Sequence, residues 1–269
     1  MKKELVNFFE KQGIEYYAVL DYSLAKETNP SIIERESFTP RSVILFLLPY
    51  YAGDTENLSR YAAARDYHIA VREYTGALIG ELRRLYPDCR AVGYGDHSPI
   101  DERDAALSAG LGILGDSGLL INDKYGTYIF IADVLTDIPP EALGESGEAK
   151  PHRRCISCGK CRSACPTGAL RGESTDCLSA ITQRKGDLTE EEVDLMRKFN
   201  TVWGCDLCQS VCPYNKEPKI TPISFFLEDR ITCLTSERLS KMSKEEFSER
   251  AFAWRGKKTV ERNLKLLDC

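Results

Sequence analysis

Eight of the eleven cysteines in this 269-residue chain fall between positions 155 and 212. They form two runs. The first is Cys155-x2-Cys158-x2-Cys161-x3-Cys165, with Pro166 next, and the second is Cys205-x2-Cys208-x3-Cys212, with Pro213 next. Cys177 lies between them. Three thiolates two residues apart can wrap three corners of an iron–sulfur cubane, and a fourth Cys followed by Pro then points toward another cluster. The second run lacks its own first member, which Cys177 supplies from a distance. With ligands exchanged between the runs, one [4Fe-4S] cluster takes Cys155, Cys158, Cys161 and Cys212. The other takes Cys165, Cys177, Cys205 and Cys208, and all eight are used. The alternative is one or two structural zinc sites, which want four ligands each and often draw them from Cys-x2-Cys pairs. Three close cysteines followed by Cys-Pro, twice over, fit iron–sulfur ligation better. The implied chemistry is electron transfer. Cys89, Cys233 and Cys269 read as core or surface thiols, with no nucleophilic setting around them.

Clusters by themselves name no substrate. Three polar stretches upstream are candidates for one. Arg60-Tyr-Ala-Ala-Ala-Arg-Asp-Tyr-His68 puts basic, aromatic and acidic groups on one expected helix, and a salt-bridged helix face is the plainer account. Tyr94-Gly-Asp-His-Ser-Pro-Ile-Asp-Glu-Arg103 is a polar loop at a strand end, where Asp96 could simply make an Asx turn. Ser108-Ala-Gly-Leu-Gly-Ile-Leu-Gly115 is glycine-rich, but Gly110, Gly112 and Gly115 do not match a dinucleotide fingerprint and could cap a helix and make a turn.

The elements that must position these groups can be read from periodicity. Residues 3–12 predict a helix with Leu5, Val6, Phe8 and Phe9 on its apolar face. Residues 14–20 and 42–50 predict strands, and the second is apolar on both faces, as in the centre of a covered sheet. Residues 59–86 predict one long helix stopped by Pro87. Residues 90–94 predict a strand, 100–109 a helix ending at Gly110, and 119–121 with 128–135 a hairpin. Strands mixed with long helices make this part α/β or α+β. A Pro- and Gly-containing linker spans 139–151. Beyond the cysteines, Thr189 with Glu192 and Ser243 with Glu246 suggest capped helices. The expected domains are 1–140 for cofactor and substrate, 150–216 for a double-cluster ferredoxin-like module, and 217–269 as helices packing back on the body.

Composition narrows the class. Hydrophobic residues make up 42% and charged residues 29%, which fits a folded globular chain and excludes wholesale disorder. The net charge of −5 argues against bulk binding of nucleic acid by phosphate neutralisation. No apolar run approaches membrane length and no export signal is read, so a cytoplasmic protein without a membrane partner is expected.

Taken together, the motifs resemble the epoxyqueuosine reductase family. The family's R-Y-A-x-x-x-D-Y-H segment stands at Arg60 to His68, its V-D-x-x-P-x-x-E-like loop at Gly95 to Glu102, and its A-G-L-G-x-x-G at Ala109 to Gly115. Its G-C-D-x-C-Q-x-x-C-P-x-N matches Gly204 to Asn215, and its closing R-N pattern is matched loosely by Arg255 to Asn263. The resemblance implies an α/β cobalamin-binding domain like that of reductive dehalogenases. It implies cobalamin held base-off between that domain and the clusters, in a pocket bordered by Arg60, Tyr61, Arg65, Asp66, Tyr67 and His68, the Asp96 loop, and Gly110, Gly112 and Gly115. The implied reaction is the two-electron deoxygenation of epoxyqueuosine in tRNA to queuosine, with Asp96 as proton donor and an external low-potential electron donor. An acid in that role is expected to be buried, which would raise its pKa. The sequence departs from the family in its short N-terminus, in Asp116 where the family has Lys, and in ending at Cys269 without the helical-repeat domain that helps grip tRNA. Two other functions remain open from the residues: a cobalamin and iron–sulfur reductase of another small substrate, and a dicluster electron carrier.

Overall fold

The computed structural model describes residues 1–267. Among them the chain packs as two units. The first joins Met1–Pro49 to His68–Ser157, and the second joins Tyr50–Tyr67 to the chain from Cys158 onward. These borders differ from the expected 1–140, 150–216 and 217–269. Residues 50–67 belong with the cysteine-bearing chain because their backbone bonds go there. Ser59 N–H donates to the Trp203 carbonyl at 2.7 Å, Val202 N–H to that of Asn57 at 2.7 Å, and Asp66 N–H to that of Glu249 at 2.7 Å.

The first unit runs α1 (Lys3–Lys11), β1 (Tyr17–Asp21), α2 (Pro30–Glu36), β2 (Ser42–Pro49), α3 (Tyr67–Leu85), β3 (Ala91–Tyr94), α4 (Glu102–Ser108), β4 (Ile113–Leu114), β5 (Leu120–Ile121) and β6 (Ile129–Thr136). Its main sheet has the order β1-β2-β6-β3 and every pairing is antiparallel, which puts the expected α/β (α+β) class on its α+β side. All eight residues of β2 are buried, as its two-sided apolar pattern requires. Strand β6 sits between β2 and β3, with Asp133 facing Leu45 on one side and Tyr94 on the other. Helix α3 lies close on β3. A Cβ at Gly93 would meet the Thr75 Cβ at 2.4 Å, so only glycine lets the two elements approach that far.

Two expectations are corrected. The long helix over 59–86 starts only at Tyr67, and Arg60–Ala62 is a single 3-10 turn. The bonds from Ser59 and Asp66 to distant carbonyls replace the helical ladder there. The predicted hairpin does not form either. Strand β5 pairs with β4, while β6 goes to the main sheet. Only the tight exchange between Asn122 and Gly126 survives of it, at 2.8 and 3.0 Å. An eight-residue apolar strand buries more surface between β2 and β3 than a two-residue partner could offer.

The second unit contains α5 (Lys160–Ala164), α6 (Leu178–Gln183), α7 (Glu190–Lys198), α8 (Leu207–Ser210), α9 (Ser236–Lys241), α10 (Lys244–Ser248) and α11 (Lys257–Leu266). Its core gathers around Trp203, Phe252, Val260 and Leu264. The capping boxes expected at Thr189 with Glu192 and Ser243 with Glu246 are both formed. Among the described residues no helix is long and apolar enough to cross a membrane. Cys269 lies outside the described residues.

The sheet sets a test of the first unit. Leu45 is fully buried in β2, and truncating it leaves a cavity in the centre of the sheet. Leu45→Ala is expected to lower stability by about 2–5 kcal/mol, read as a lower denaturant midpoint in circular dichroism.

Candidate functional site

The cysteine-bearing unit places its thiols on short elements joined by turns. Cys161 lies on α5 and Cys208 on α8, and these two helices pack together. Cys165 ends α5, and Cys177 caps the start of α6. Cys205 is within electrostatic reach of Cys177 and Cys165, and Cys208 of Cys205, Cys161 and Cys165. The structure thus brings Cys165, Cys177, Cys205 and Cys208 into one neighbourhood, with Cys161 beside them. Burial pushes the Cys205 thiol up to about 11 and Cys208 up to about 12. Burial also acts against the Cys165 thiolate, but the N–H groups of Leu170, Thr167 and Ala169 and the Thr167 hydroxyl outweigh it and bring that thiol below its ordinary value. Buried thiols of this kind give up protons only to a cation that replaces them, and thiolate is the ligand form. The donor set therefore fits iron–sulfur clusters.

The residues between the cysteines hold the ligand turns. Asp206, next to Cys205, accepts from the Ser59 hydroxyl at 2.6 Å, the Arg60 N–H at 2.7 Å, the Arg60 guanidinium at 3.2 Å and the Gln209 amide at 3.0 Å. Asn215 donates to the Gln209 carbonyl at 2.8 Å, and Gln209 accepts from Tyr50 Oη at 3.2 Å. Gly204, at φ +76°, would carry a Cβ 2.4 Å from that of Ser59. Far along the chain, buried Asn263 donates to the Thr182 carbonyl at 2.7 Å and to that of Val202 at 2.8 Å. It thereby ties the end of α6, which follows Cys177, to the strand of chain leading into Cys205. Sequence reasoning quoted Asp206, Gln209, Asn215 and Asn263 only as letters in motifs. For Asp206, Gln209 and Asn215 the signal was their place within the second cysteine run.

The first unit presents a separate acidic group. Asp96 follows β3 with a left-handed backbone, φ +67°. Its N–H donates to both oxygens of Glu102, at 2.9 and 3.1 Å. Its carboxylate lies 3.9 Å from His68 Nε2 on α3, and its side chain is 60% exposed. The burial expected for this acid is absent. The buried carboxyl is Asp133 of β6, which is 0% exposed. Asp133 Oδ1 accepts from the Ser98 hydroxyl at 3.2 Å, and the Glu102 carboxyl is its acidic neighbour. Burial raises the pKa of both Asp133 and Glu102, and each carboxyl also bears on the other. Neither residue was singled out from sequence. A lone Asp inside Ile-Phe-Ile-Ala-Asp-Val-Leu was the available signal, since charged groups are rarely buried unpaired.

The other predicted residues are divided between the two units. Arg60, Tyr61, Arg65, Asp66 and Tyr67 lie in the second unit, whereas His68 and the glycines lie in the first. Arg60 is held by Asp54 at 2.8 Å as well as by Asp206. Tyr61 Oη accepts from Trp203 Nε1 at 3.0 Å, and Arg65 stacks 4.6 Å from the Phe225 ring. Each glycine has a packing reason: a Cβ at Gly110 would meet Lys150, at Gly112 the Ile121 carbonyl, and at Gly115 Ile121 and Leu119. Asp116 donates its N–H to Cys155 Sγ at 3.4 Å, and its carboxylate lies 3.5 Å from Arg154.

Residues 154–215 match the family of 4Fe-4S double cluster binding domains. The chain is 30% identical to epoxyqueuosine reductase of Listeria monocytogenes, over 94% of this chain and 70% of that protein. A crystal structure of selenomethionine-labelled epoxyqueuosine reductase superposes with a TM-score of 0.79 at 25% identity, covering 98% of this chain and 80% of that one. A Bacillus subtilis epoxyqueuosine reductase, captured with its catalytic aspartate loop swung out of the active site, gives a TM-score of 0.73 at 25% identity over the same shares.

The thiol neighbourhood can be tested by counting metal. Cys177→Ser is expected to reduce anaerobically reconstituted protein from about eight iron atoms per chain to about four. Stoichiometric zinc without acid-labile sulfide in the parent would refute the assignment.

Proposed function

The chain belongs to the epoxyqueuosine reductase family, and on that premise we propose that it deoxygenates epoxyqueuosine in tRNA, with Asp96 delivering the proton to the departing oxygen. The reaction takes two electrons and two protons, turns the epoxide into an alkene and releases the oxygen as water. The cofactors are two [4Fe-4S] clusters and cobalamin. When bound, cobalamin supplies a strongly reducing cobalt centre and the clusters supply electrons from an external low-potential donor. The protein's own residues do the rest. We assign Cys155, Cys158, Cys161 and Cys212 to one cluster and Cys165, Cys177, Cys205 and Cys208 to the other. Asp206, Gln209, Asn215 and Asn263 hold the second set in place.

The observation that carries the reading is the Asp96 carboxyl. It is an exposed acid on a strained turn, beside an imidazole and fixed through its own N–H. A C–O bond broken by electron delivery requires such an acid, because the leaving oxygen must not depart as a bare oxyanion. That chemistry is the fit between these residues and a corrin cofactor: the metal supplies electrons, and the protein must supply the proton. His68, 3.9 Å from the carboxylate, is placed to pass a proton back to it between turnovers. The relative from Bacillus subtilis has a catalytic aspartate on a mobile loop, and Asp96 occupies a loop here as well. We infer tRNA as the substrate and the cytoplasm as the place of reaction, and the family membership supports both.

Asp96→Asn is expected to retain both clusters and cobalamin while turnover of epoxyqueuosine-containing tRNA falls by about 10²-fold or more. Asp101→Asn is the control. Asp101 caps α4 by accepting the Asp104 N–H at 3.2 Å, so its loss touches stability by about 1 kcal/mol or less. Full activity in Asp96→Asn would remove the acid from the mechanism.

A further inference from the structure

We propose that Glu102 and Asp133 share a single proton and that this pair positions the Asp96 loop, with Glu102 as the positioning residue. The geometry begins at Asp133. It is wholly buried in the middle strand of the sheet, and only Oδ1 receives a donor, the Ser98 hydroxyl. Oδ2 is buried and finds no N–H or O–H partner. Its neighbour is another acid, the Glu102 carboxyl. Two carboxylates cannot both stay ionised side by side away from water, whereas a carboxylic acid can donate to a carboxylate. One proton between them supplies the donor that Oδ2 lacks. It also removes the repulsion that would drive Glu102 away from the sheet.

The outer side of Glu102 then has one task. It accepts the Asp96 N–H at 2.9 and 3.1 Å. That bond secures a non-glycine residue in the left-handed region, a conformation that persists only where its surroundings fix it. The groups that bear on Glu102 are Asp133 from β6 and Asp96 from the loop. Ser98 faces Asp133 from the same loop, Tyr94 of β3 lies within its field, and His68 of α3 stands 3.9 Å from the Asp96 carboxylate.

The sign of the pH dependence follows. Burial raises the pKa of both acids above their ordinary values, so the folded chain keeps a proton that the unfolded chain releases near pH ~4. The pair's contribution is complete below that value and is lost as pH rises through the raised folded pKa, with the one-proton form falling about tenfold per pH unit beyond it. The Asp96 loop should loosen along the same curve. This inference rests on the reading of Asp96 as the acid only for its consequence in turnover.

The test uses full-length, cluster-replete protein without substrate. Amide exchange of residues 95–98 and the infrared band of a protonated carboxyl are followed across pH in the parent, Glu102→Gln, Asp133→Asn and Glu102→Ala. The parent is expected to show the protonated-carboxyl band at neutral pH and a loop whose protection drops at alkaline pH. Glu102→Gln and Asp133→Asn should lose the band and the pH step while keeping the loop protected. Glu102→Ala should expose the loop at every pH. The proposal is overturned if the parent lacks the band at neutral pH, or if Glu102→Ala protects the loop as well as the parent does. Because neither readout requires turnover, an active Asp96→Asn variant and a failed carboxyl pair are separate results.

Discussion

A carboxylate in the middle of a buried strand is the constraint around which the first unit is arranged. Asp133 stands between Leu45 and Tyr94 in a sheet whose central strand is entirely buried. Apolar neighbours cannot satisfy it, and an unpaired charge there would cost more than the surrounding contacts return. The β3–α4 connection therefore turns inward far enough to bring Ser98 and Glu102 to it. The same connection is pinned on its other side, where the Pro99 carbonyl accepts the N–H groups of Thr28 and Asn29 at 2.8 and 3.0 Å. Asp96 is the part of this loop left outside. Its backbone is left-handed, at φ +67°, and its N–H is held by Glu102 at the start of α4.

The second unit meets a different constraint. Its ligand thiols sit on turns and on helices of four to six residues, which are too short to be stable by propensity alone. Bringing buried thiolates together without iron is electrostatically unfavourable, and the raised Cys205 and Cys208 thiols register that cost. The protein-side compensation is a set of polar clamps. Asp206 gathers the 59–60 segment and Gln209 onto the second cysteine run. Asn263 draws the end of α6 to the chain before Cys205 from eighty residues further along. Metal and clamps thus supply what a small apolar core does not.

Spacing alone singled out the cysteines as candidate cluster ligands, because cluster geometry dictates separations along the chain. The buried strand at 42–49, helix α1 and the capping boxes were legible because each depends on a few adjacent residues. What failed depended on remote partners. Residues 59–66 have helical composition, yet their N–H groups are claimed by Trp203 and Glu249. The strand at 129–136 alternates like a hairpin arm but pairs with β2 and β3. The acid expected to be buried is exposed, and the buried acid lay unnoticed in an apolar run, since no local pattern says which carboxyl a sheet will enclose.

That exchange of roles between exposed and buried carboxyls has a physical logic. An acid that gives its proton to a bulky substrate must reach that substrate and must be reprotonated after every cycle. Exposure, together with an imidazole 3.9 Å away, serves both needs. A buried acid does neither quickly, but it is a rigid anchor, because it stands on a strand paired on both sides in a close-packed sheet. On the proposed reading, an acid outside and an anchoring pair inside separate proton delivery from positioning. The Asp96 N–H bond to Glu102 is where the two would meet: on that reading it ties the tip of a solvent-facing loop to β6 while leaving the Asp96 carboxyl exposed.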